Sequence, residues 1–293
     1  MKLDLYSIRG ANYNLNLNER IIKMGKFDGY LICTDLDDTL LTSDKTISDK
    51  NIEAIEYFKS EGGTFTFATG RVIQSTRKYI ELAKPNAPVI SYNGCAIYDW
   101  KNEKFIYKAV LDEDVRDVLK SIMSDCEYVG AEVVTENELC ICRNNQSMME
   151  HMEIEGAEYV YKNIDEVEYP WIKVIMVQTA EEVELLKKKV ASEKYADKYN
   201  FVQSASTYYE ILPKNVSKGT AGLKLCELLG IDKNKFAAIG DNENDIEMIA
   251  NAAFGAAVGN AADYVKSHAD AVAPHHNDDA IAWLIDEIEK KLI

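Results

Sequence analysis

The sequence predicts an α/β protein in which a doubly wound parallel sheet carries a separate, inserted α+β domain. Short apolar strands alternate with amphipathic helices toward both ends of the chain, a pattern typical of a parallel sheet covered by helices. In the middle, strands follow one another without intervening helices. We therefore predict a core formed by residues 27–93 and 205–293, an inserted domain over residues 94–204, and an N-terminal extension over residues 1–26.

The first part of the core has the order strand, helix, strand, helix, strand. Residues 30–34 form a nearly all-apolar run, as expected of a strand that is buried on both faces. A helix is predicted from the N-cap Ser48 to the stop at Gly62, because apolar residues follow the cap at helical spacing. The other two predicted strands are Thr64–Ala68 and Pro88–Asn93.

The inserted domain and the last part of the core have their own patterns. In the inserted domain, Trp171–Thr179 is predicted as a strand, and an amphipathic helix follows from Glu181. Toward the C-terminus, a helix over Lys218–Gly230 precedes a strand over Phe236–Gly240. The last helix is predicted to begin near Asp278. Strand and helix alternation thus returns after the insertion, as one continuous parallel sheet requires.

Composition excludes several classes of partner. The 293 residues carry a formal net charge of −16 with no long basic run, so the chain would repel nucleic acid and anionic membranes. No apolar stretch approaches the ~20 residues of a membrane span, and the N-terminus lacks the apolar segment of a secretory signal. The six cysteines form no CxxC motif, which favours reduced thiols over a disulfide framework. We predict a cytoplasmic protein.

The strongest chemical signal is the acidic segment Asp35–Leu40, which directly follows the first predicted strand. Asp35 and Asp37 lie two residues apart, so in extended backbone their side chains face the same side. Two carboxylates at one strand tip repel each other unless a cation lies between them or one takes a proton. For this segment alone, a solvated acidic turn with capping residues is the alternative.

Two further signals are a small hydroxyl-glycine turn and an isolated lysine. Thr69 and Gly70 follow the second strand, where a hydroxyl and a closely approaching backbone suit a phosphate, although an ordinary turn has the same composition. Lys218 begins a predicted helix, which is unfavourable for a cation in the helix dipole. Its position suggests a functional role for Lys218, and a solvated surface lysine is the alternative.

The fourth signal is the segment 240–245 (GDNEND), again directly after an apolar strand. Asp241 lies at the strand tip, and Asn244 and Asp245 would share one side of a helical turn, unless the segment is simply an N-cap. Each segment has a structural alternative when it is considered alone. Because a doubly wound sheet gathers its strand ends along one edge, their common position predicts that these groups converge.

These four segments, in this order, resemble the motifs of the haloacid dehalogenase superfamily. The inserted domain, the pair Asn93–Gly94 and the segment Leu212–Gly219 are similar to its Cof-type phosphatases, which carry a large α/β cap (subclass IIB). The resemblance covers the chain from about Phe27 to the C-terminus. It implies a Rossmann-like core and a phosphatase for a small phosphorylated metabolite of the sugar phosphate, nucleotide, pyridoxal phosphate or flavin mononucleotide class.

The resemblance also implies a role for each candidate residue. Asp35 would attack phosphorus and form an aspartyl-phosphate, and Asp37 would serve first as general acid and then as the base that activates water. Mg²⁺ would be held by the Asp35 carboxylate, the Asp37 backbone carbonyl and Asp241. Asp245 would support the metal or orient Lys218. The implied phosphate-binding residues are Thr69, Gly70, Lys218 and Asn244.

The chain departs from the family pattern at two places. Asp38 stands where the family often has glycine, and we expect its backbone N–H to matter more than its carboxylate. The family usually starts a few residues before the first motif, yet Asp35 lies well inside this chain. Our hypothesis is that Met24 is the natural start; the alternative is a real extension.

Other functions stay compatible with the sequence. A phosphomutase of the same superfamily would form the same aspartyl-phosphate but return the phosphate to another hydroxyl. A non-catalytic binding or regulatory protein is disfavoured because every reacting group is present. We expect a monomer or a small homo-oligomer. The cap aromatic residues that either stack on a substrate ring or pack inside the cap are Tyr128, Trp171, Tyr208 and Tyr209.

Overall fold

The computed structural model describes residues 25–292, and within this range the chain forms fourteen strands and nine α-helices. In chain order the strands are β1 Leu31–Thr34, β2 Thr64–Phe67, β3 Val89–Ser91, β4 Ala96–Asp99, β5 Lys104–Lys108, β6 Gly130–Thr135, β7 Leu139–Arg143, β8 Val160–Tyr161, β9 Trp171–Val177, β10 Asn200–Ala205, β11 Tyr208–Leu212, β12 Phe236–Gly240, β13 Phe254–Ala257 and β14 Ala271–Val272. The helices are α1 Asp49–Ser60, α2 Ile73–Ala83, α3 Val115–Asp125, α4 Gln146–Glu155, α5 Ala180–Ala191, α6 Lys218–Leu229, α7 Ile246–Asn251, α8 Asp263–Lys266 and α9 Ala280–Leu292.

Strands from both ends of the chain form one parallel sheet, with the order β14-β13-β12-β1-β2. β1 lies in the interior of this sheet, between β12 and β2. A parallel bridge between Ala68 and Ile90 places β3 beside β2. The prediction of a doubly wound α/β core is therefore confirmed.

The residues of β1 show why this strand is apolar throughout. Ile32 belongs to the large core cluster that also includes buried residues of α1 and α9. Leu31 and Cys33 point to the other side, into a cluster with Leu225 of α6 and Met248 of α7. Helices thus cover both faces of the sheet, and β1 has no exposed face that would call for alternating polar residues.

Helix ends are set by the side chains that the sequence indicated. The Ser48 hydroxyl accepts a hydrogen bond from the Asn51 backbone N–H (3.2 Å) at the start of α1. Ser217 caps α6 in the same way, accepting from the Thr220 backbone N–H (3.0 Å), and Gly230 ends that helix with a left-handed φ of 67°. Capping therefore fixes the residue at which α6 begins, and with it the position of Lys218.

The inserted domain is built on a six-stranded sheet with the order β10-β11-β9-β6-β7-β8. One face of this sheet packs on α3 and α5 through an apolar cluster of its own. The other face carries α4 and looks toward the core. We call this domain the cap.

The sheets do not change at the predicted boundaries of residues 94 and 204. β4 and β5 lie after residue 94, but β4 pairs with β3 and β5 pairs with β4, so they extend the core side of the molecule. β11 lies after residue 204 but pairs with β9 of the cap sheet. The domain to which a strand belongs depends on its pairing partner, which can be distant in sequence, so the pattern along the chain does not locate the boundary. The division into a core, a cap and an extension stays a prediction.

Three smaller expectations concern the termini and the thiols. Residues 1–24, which hold most of the predicted extension and the proposed start at Met24, lie outside the described residues. All six cysteines are free, as predicted. Within residues 25–292, no helix is both long enough and apolar enough to cross a membrane.

Gly94 provides a test of the packing between the core and α6. Its φ is 97°, and an added Cβ would lie 2.1 Å from the Ser217 carbonyl oxygen. We predict that Gly94→Ala lowers the free energy of unfolding by about 3 kcal/mol or more, because backbone strain and a steric clash each cost about 1–3 kcal/mol. Urea denaturation measures this change.

The matched control is Gly156→Ala at the end of α4. Gly156 has a similar left-handed φ of 64°, but an added Cβ would have no atom within 4 Å. This variant should lose only about 1 kcal/mol, the cost of the backbone conformation alone. Equal losses in the two variants would show that the contact with Ser217 carries no steric constraint.

Candidate active site

The carboxyl ends of β1 and β12 bring two aspartates to the same edge of the sheet. The strands run parallel with Thr34 opposite Ile239, so Asp35 and Asp241 each follow the last residues of neighbouring strands. The Asp35 backbone N–H donates to the Ile239 carbonyl (2.9 Å), which continues the ladder into the site. The convergence expected from the sheet topology is present here.

Lys218 lies between two of the predicted site carboxylates. Its Nζ is 2.5 Å from Asp35 Oδ1 and 2.7 Å from Asp245 Oδ1, and its side chain is only 1% exposed. Burial alone lowers the pKa of Lys218, but the two carboxylates outweigh burial and raise it above its ordinary value. The ammonium group therefore stays charged.

Asp245 is held in place from the side opposite Lys218. Its Oδ2 accepts hydrogen bonds from the backbone N–H groups of Asp241 (3.0 Å) and Asn242 (3.1 Å). A Cβ added at Gly240 would lie 2.4 Å from the Asp245 Cβ, so the close approach requires glycine there. Of the two roles considered for Asp245, this geometry favours orienting Lys218.

Three carboxylates share this site with one ammonium group. Oxygen atoms of Asp35, Asp241 and Asp245 lie within 4.8 Å of one another. Burial raises the pKa of Asp241 to about 9, with the charges of Asp35 and Asp245 adding to it, and Thr39 donates a hydrogen bond to its Oδ1 (3.0 Å). Burial likewise raises the pKa of Asp35 to about 7, against the opposing effect of Lys218.

Burial is the main cause of both raised pKa values, and the neighbouring carboxylates raise them further. Hard carboxylate oxygens are the ligands that Mg²⁺ prefers, and a bound divalent cation would offset the repulsion between these carboxylates. The donor set therefore fits Mg²⁺, with Asp35 and Asp241 as the side chains that would hold it.

Asp37 is not one of the three clustered carboxylates and pairs instead with Arg71. The Arg71 Nε lies 2.7 Å from Asp37 Oδ2, and its Nη2 donates to Asp37 Oδ1 (2.9 Å), a bidentate pair. Lys45 Nζ adds a third contact to Oδ1 (3.2 Å). Burial raises the pKa of Asp37, but the hydrogen bonds and charges of Arg71 and Lys45 together outweigh burial. The pKa of this carboxyl group is therefore below its ordinary value.

Sequence reasoning missed Arg71 as a site residue. The signal was present, since Arg71 directly follows Thr69 and Gly70 at a strand end. Its carboxylate partner lies 34 residues earlier, and only the fold shows that pairing.

The predicted phosphate-binding residues are joined through Asn93. The Asn93 backbone N–H donates to the Thr69 carbonyl (3.0 Å), and its Oδ1 accepts from Asn244 Nδ2 (2.9 Å). A Cβ at Gly70 would lie 3.0 Å from Asn93 Oδ1, so glycine permits the close packing of these two loops. The segments that follow β2, β3 and β12 therefore meet at Asn93.

Asp38 has a conformation that explains the family departure. Its φ is 55° and its ψ is 19°, in the left-handed region where glycine is the easiest residue to accommodate. Aspartate is one of the side chains that tolerate this region. A position often occupied by glycine can therefore hold Asp38 without a change of the turn.

Most of the cap aromatic residues pack inside the cap. Trp171 is fully buried and stacks on Tyr169 (4.8 Å between ring centroids), and Tyr209 is buried against Phe201 (5.9 Å). Tyr208 lies on the opposite sheet face, edge-on to His151 (4.7 Å). Core packing is thus the role of Trp171 and Tyr209, and Tyr208 is the one of these three that faces the core domain.

The fold and the site together define a class of protein: a doubly wound core with clustered aspartates and a buried lysine at its strand ends, beneath an inserted α/β cap. A family model described as haloacid dehalogenase-like hydrolase matches residues 32–285 of the chain. The chain belongs to this family. It is an enzyme of the phosphatase type, as the resemblance in its four motifs implied.

Individual relatives agree with this assignment. The chain is 25% identical over 263 residues to a Bacillus subtilis protein named 5-amino-6-(5-phospho-D-ribitylamino)uracil phosphatase, covering 88% of this chain and 97% of that protein. A solved haloacid dehalogenase-like hydrolase from Bacteroides thetaiotaomicron has a TM-score of 0.75 at 25% identity, over 88% of this chain and 99% of its own. A subclass IIB sugar phosphatase shares the fold, with a TM-score of 0.78 at 21% identity over 90% of this chain and all (100%) of that one.

The buried position of Lys218 generates a stability prediction. Lys218→Met removes the ammonium group from between Asp35 and Asp245, and leaves the buried carboxylates without a compensating charge. We predict a loss of about 3–5 kcal/mol in the free energy of unfolding, the usual effect of removing one partner of a buried ion pair. Chemical denaturation in metal-free buffer measures it.

Lys224→Met provides the control from the same helix. Lys224 pairs with Glu227 at 2.9 Å, but both side chains are largely in solvent, at 37% and 70% exposure. Its loss should change stability by no more than about 0.5 kcal/mol. A Lys218→Met protein as stable as the Lys224→Met protein would contradict the charge balance described here.

Proposed function

We propose that this protein is an Mg²⁺-dependent phosphatase that hydrolyses a small phosphorylated metabolite through an aspartyl-phosphate on Asp35. The observation that supports it most is the placement of Lys218 between Asp35 and Asp245, with Asp241 in the same carboxylate cluster. Phosphoryl transfer depends mainly on positioning and on the compensation of charge. A buried cation next to a strand-end carboxylate supplies both.

In the proposed first step, a carboxylate oxygen of Asp35 forms a bond to phosphorus as the bond to the leaving oxygen breaks. Lys218 already contacts Asp35 Oδ1, so its charge is available to the phosphoryl oxygens that arrive there. Thr69, Gly70 and Asn244 would contribute hydroxyl, backbone and amide donors to the same oxygens. A bound Mg²⁺ would neutralise charge that develops on the phosphoryl group.

Asp37 must be protonated in the first step of the proposed reaction and ionised in the second. The contacts with Arg71 and Lys45 favour the ionised form of Asp37, which is the form that can take a proton from the water that hydrolyses the aspartyl-phosphate. To protonate the leaving oxygen in the first step, Asp37 must itself carry a proton. A protonated Asp37 is neutral and no longer forms an ion pair with Arg71. We therefore propose that Arg71 shifts when substrate binds.

The cap restricts the substrate to a small molecule, because it covers the strand ends of the core. The candidate classes are sugar phosphates, nucleotides, pyridoxal phosphate and flavin mononucleotide. The relative named for a ribitylaminouracil phosphate adds that compound to the set worth testing. Cytoplasmic location, and a monomer or small homo-oligomer, stay predictions.

A substrate screen with Asp35→Asn tests the proposed chemistry. We predict that the parent protein releases inorganic phosphate from at least one of these compounds in the presence of Mg²⁺. Asp35→Asn should lose at least about a thousandfold in kcat, since a covalent nucleophile is removed. Asp38→Asn is the control, because the Asp38 side chain is 57% exposed and should be dispensable.

Two results of this screen would overturn the proposal. Asp35→Asn that turns over at the parent rate would exclude the covalent route. Phosphate transfer between hydroxyl groups that needs an activating bisphosphate, with no release of inorganic phosphate, would identify a phosphomutase instead.

Metal dependence can be tested without any substrate. We predict that saturating Mg²⁺ raises the melting temperature of the parent by about 5–10 °C, since binding at a hundred times Kd contributes about 2.7 kcal/mol. Asp241→Asn should lose most of this shift because it lacks a proposed ligand. A shift of equal size in both proteins would place the stabilising ion elsewhere.

A further inference from the structure

A second buried ion pair lies where the cap meets the core. Lys173 of β9 and Glu210 of β11 are 2.8 Å apart from Nζ to Oε2, and their side chains are only 1% and 2% exposed. Both residues belong to the cap sheet and lie on its core-facing side. Neither was among the candidate site residues found from sequence.

Both members of this pair also bind the strand-end loops of the core. Lys173 Nζ donates to the Gly70 carbonyl (2.9 Å). Glu210 Oε1 accepts from Asn93 Nδ2 (2.9 Å), and Asn93 in turn accepts from Asn244 Nδ2 (2.9 Å). An unbroken chain of hydrogen bonds therefore runs from the cap sheet to two of the proposed phosphate-binding segments.

Stability alone does not account for a pair in this position. Removing two charges from water costs several kcal/mol, and apolar residues of similar volume often stabilise a protein equally well or better. Ile175 and Val177 of the same strand point to the same sheet face and pack in the apolar core. An ion pair differs from such apolar residues because its hydrogen bonds are directional, and each of them fixes the position of its partner atom.

We propose that Lys173 and Glu210 are positioning residues that align the phosphate-binding loops when the cap is seated on the core. Lys173 fixes the Gly70 peptide, and Glu210 fixes the side chain of Asn93 and through it Asn244. A displaced cap would release all of these contacts together, so the loops are aligned only under a closed cap. This inference rests on the proposed function of those loops.

The chain contains a natural control for this inference. Lys187 of α5 and Glu243 also connect the cap to the core, with a distance of 3.0 Å, but their side chains are 30% and 29% exposed. Lys187 additionally donates to Gln203 within the cap. This pair joins the same two domains with solvent-accessible side chains and should contribute little to loop geometry.

The test uses a double variant that removes both buried charges, Lys173→Met with Glu210→Met. Lys173→Met alone should be destabilised, because Glu210 is left buried and unpaired, and the double variant should recover a melting temperature near that of the parent. We predict that the recovered double variant still has a kcat at least about tenfold lower, with a smaller change in KM, because misplaced loops affect the chemical step. Lys187→Met should keep the parent kcat.

Hydrogen exchange gives a second measurement that needs no substrate. Amides of residues 68–72 and 91–95 should exchange faster in the double variant than in the parent, while Lys187→Met leaves them unchanged. A double variant with the parent's melting temperature, kcat and exchange rates would overturn the inference. A parent protein without phosphatase activity would overturn the proposed function instead, and the exchange comparison would still decide whether the pair positions these loops.

Discussion

The ammonium group of Lys218, buried between the carboxylates of Asp35 and Asp245, is the interaction on which the site depends. A lysine at this depth would lose its charge by desolvation if the carboxylates were absent. The carboxylates in turn would repel each other without it. Because neither partner is stable in the interior alone, the capped start of α6, the end of β1 and the loop after β12 must fold together to form the site.

The same site also has more carboxylate groups than cationic groups, which suits it to bind a metal ion. One ammonium group compensates only part of the negative charge of Asp35, Asp241 and Asp245, and the two neighbouring carboxylates add to the effect of burial in raising the pKa of Asp241 to about 9. A site built in this way favours the binding of a divalent cation. The family assignment and the local electrostatics thus support the same chemistry independently.

The sequence predicted those features that depend on local pattern and on sheet topology. Buried strands were recognisable because both faces of β1 and β12 are covered, and the convergence of Asp35 with Asp241 followed from parallel pairing. Contacts that depend on a single rotamer or on a distant strand were not predictable. The pairing of Arg71 with Asp37, and of Lys173 with the Gly70 carbonyl across 103 residues, became visible only in the fold.

In the proposed mechanism, Asp35 receives the phosphoryl group beside a divalent cation. A crystal structure of the protein with Mg²⁺ and beryllium trifluoride, which mimics an aspartyl-phosphate, tests it most directly. We predict a beryllium trifluoride adduct on an Asp35 oxygen, with Mg²⁺ bound by Asp35 and Asp241 and the Lys218 ammonium group against a fluorine atom. A structure in which the adduct forms on another residue, or in which Mg²⁺ binds away from Asp241, would contradict the claim.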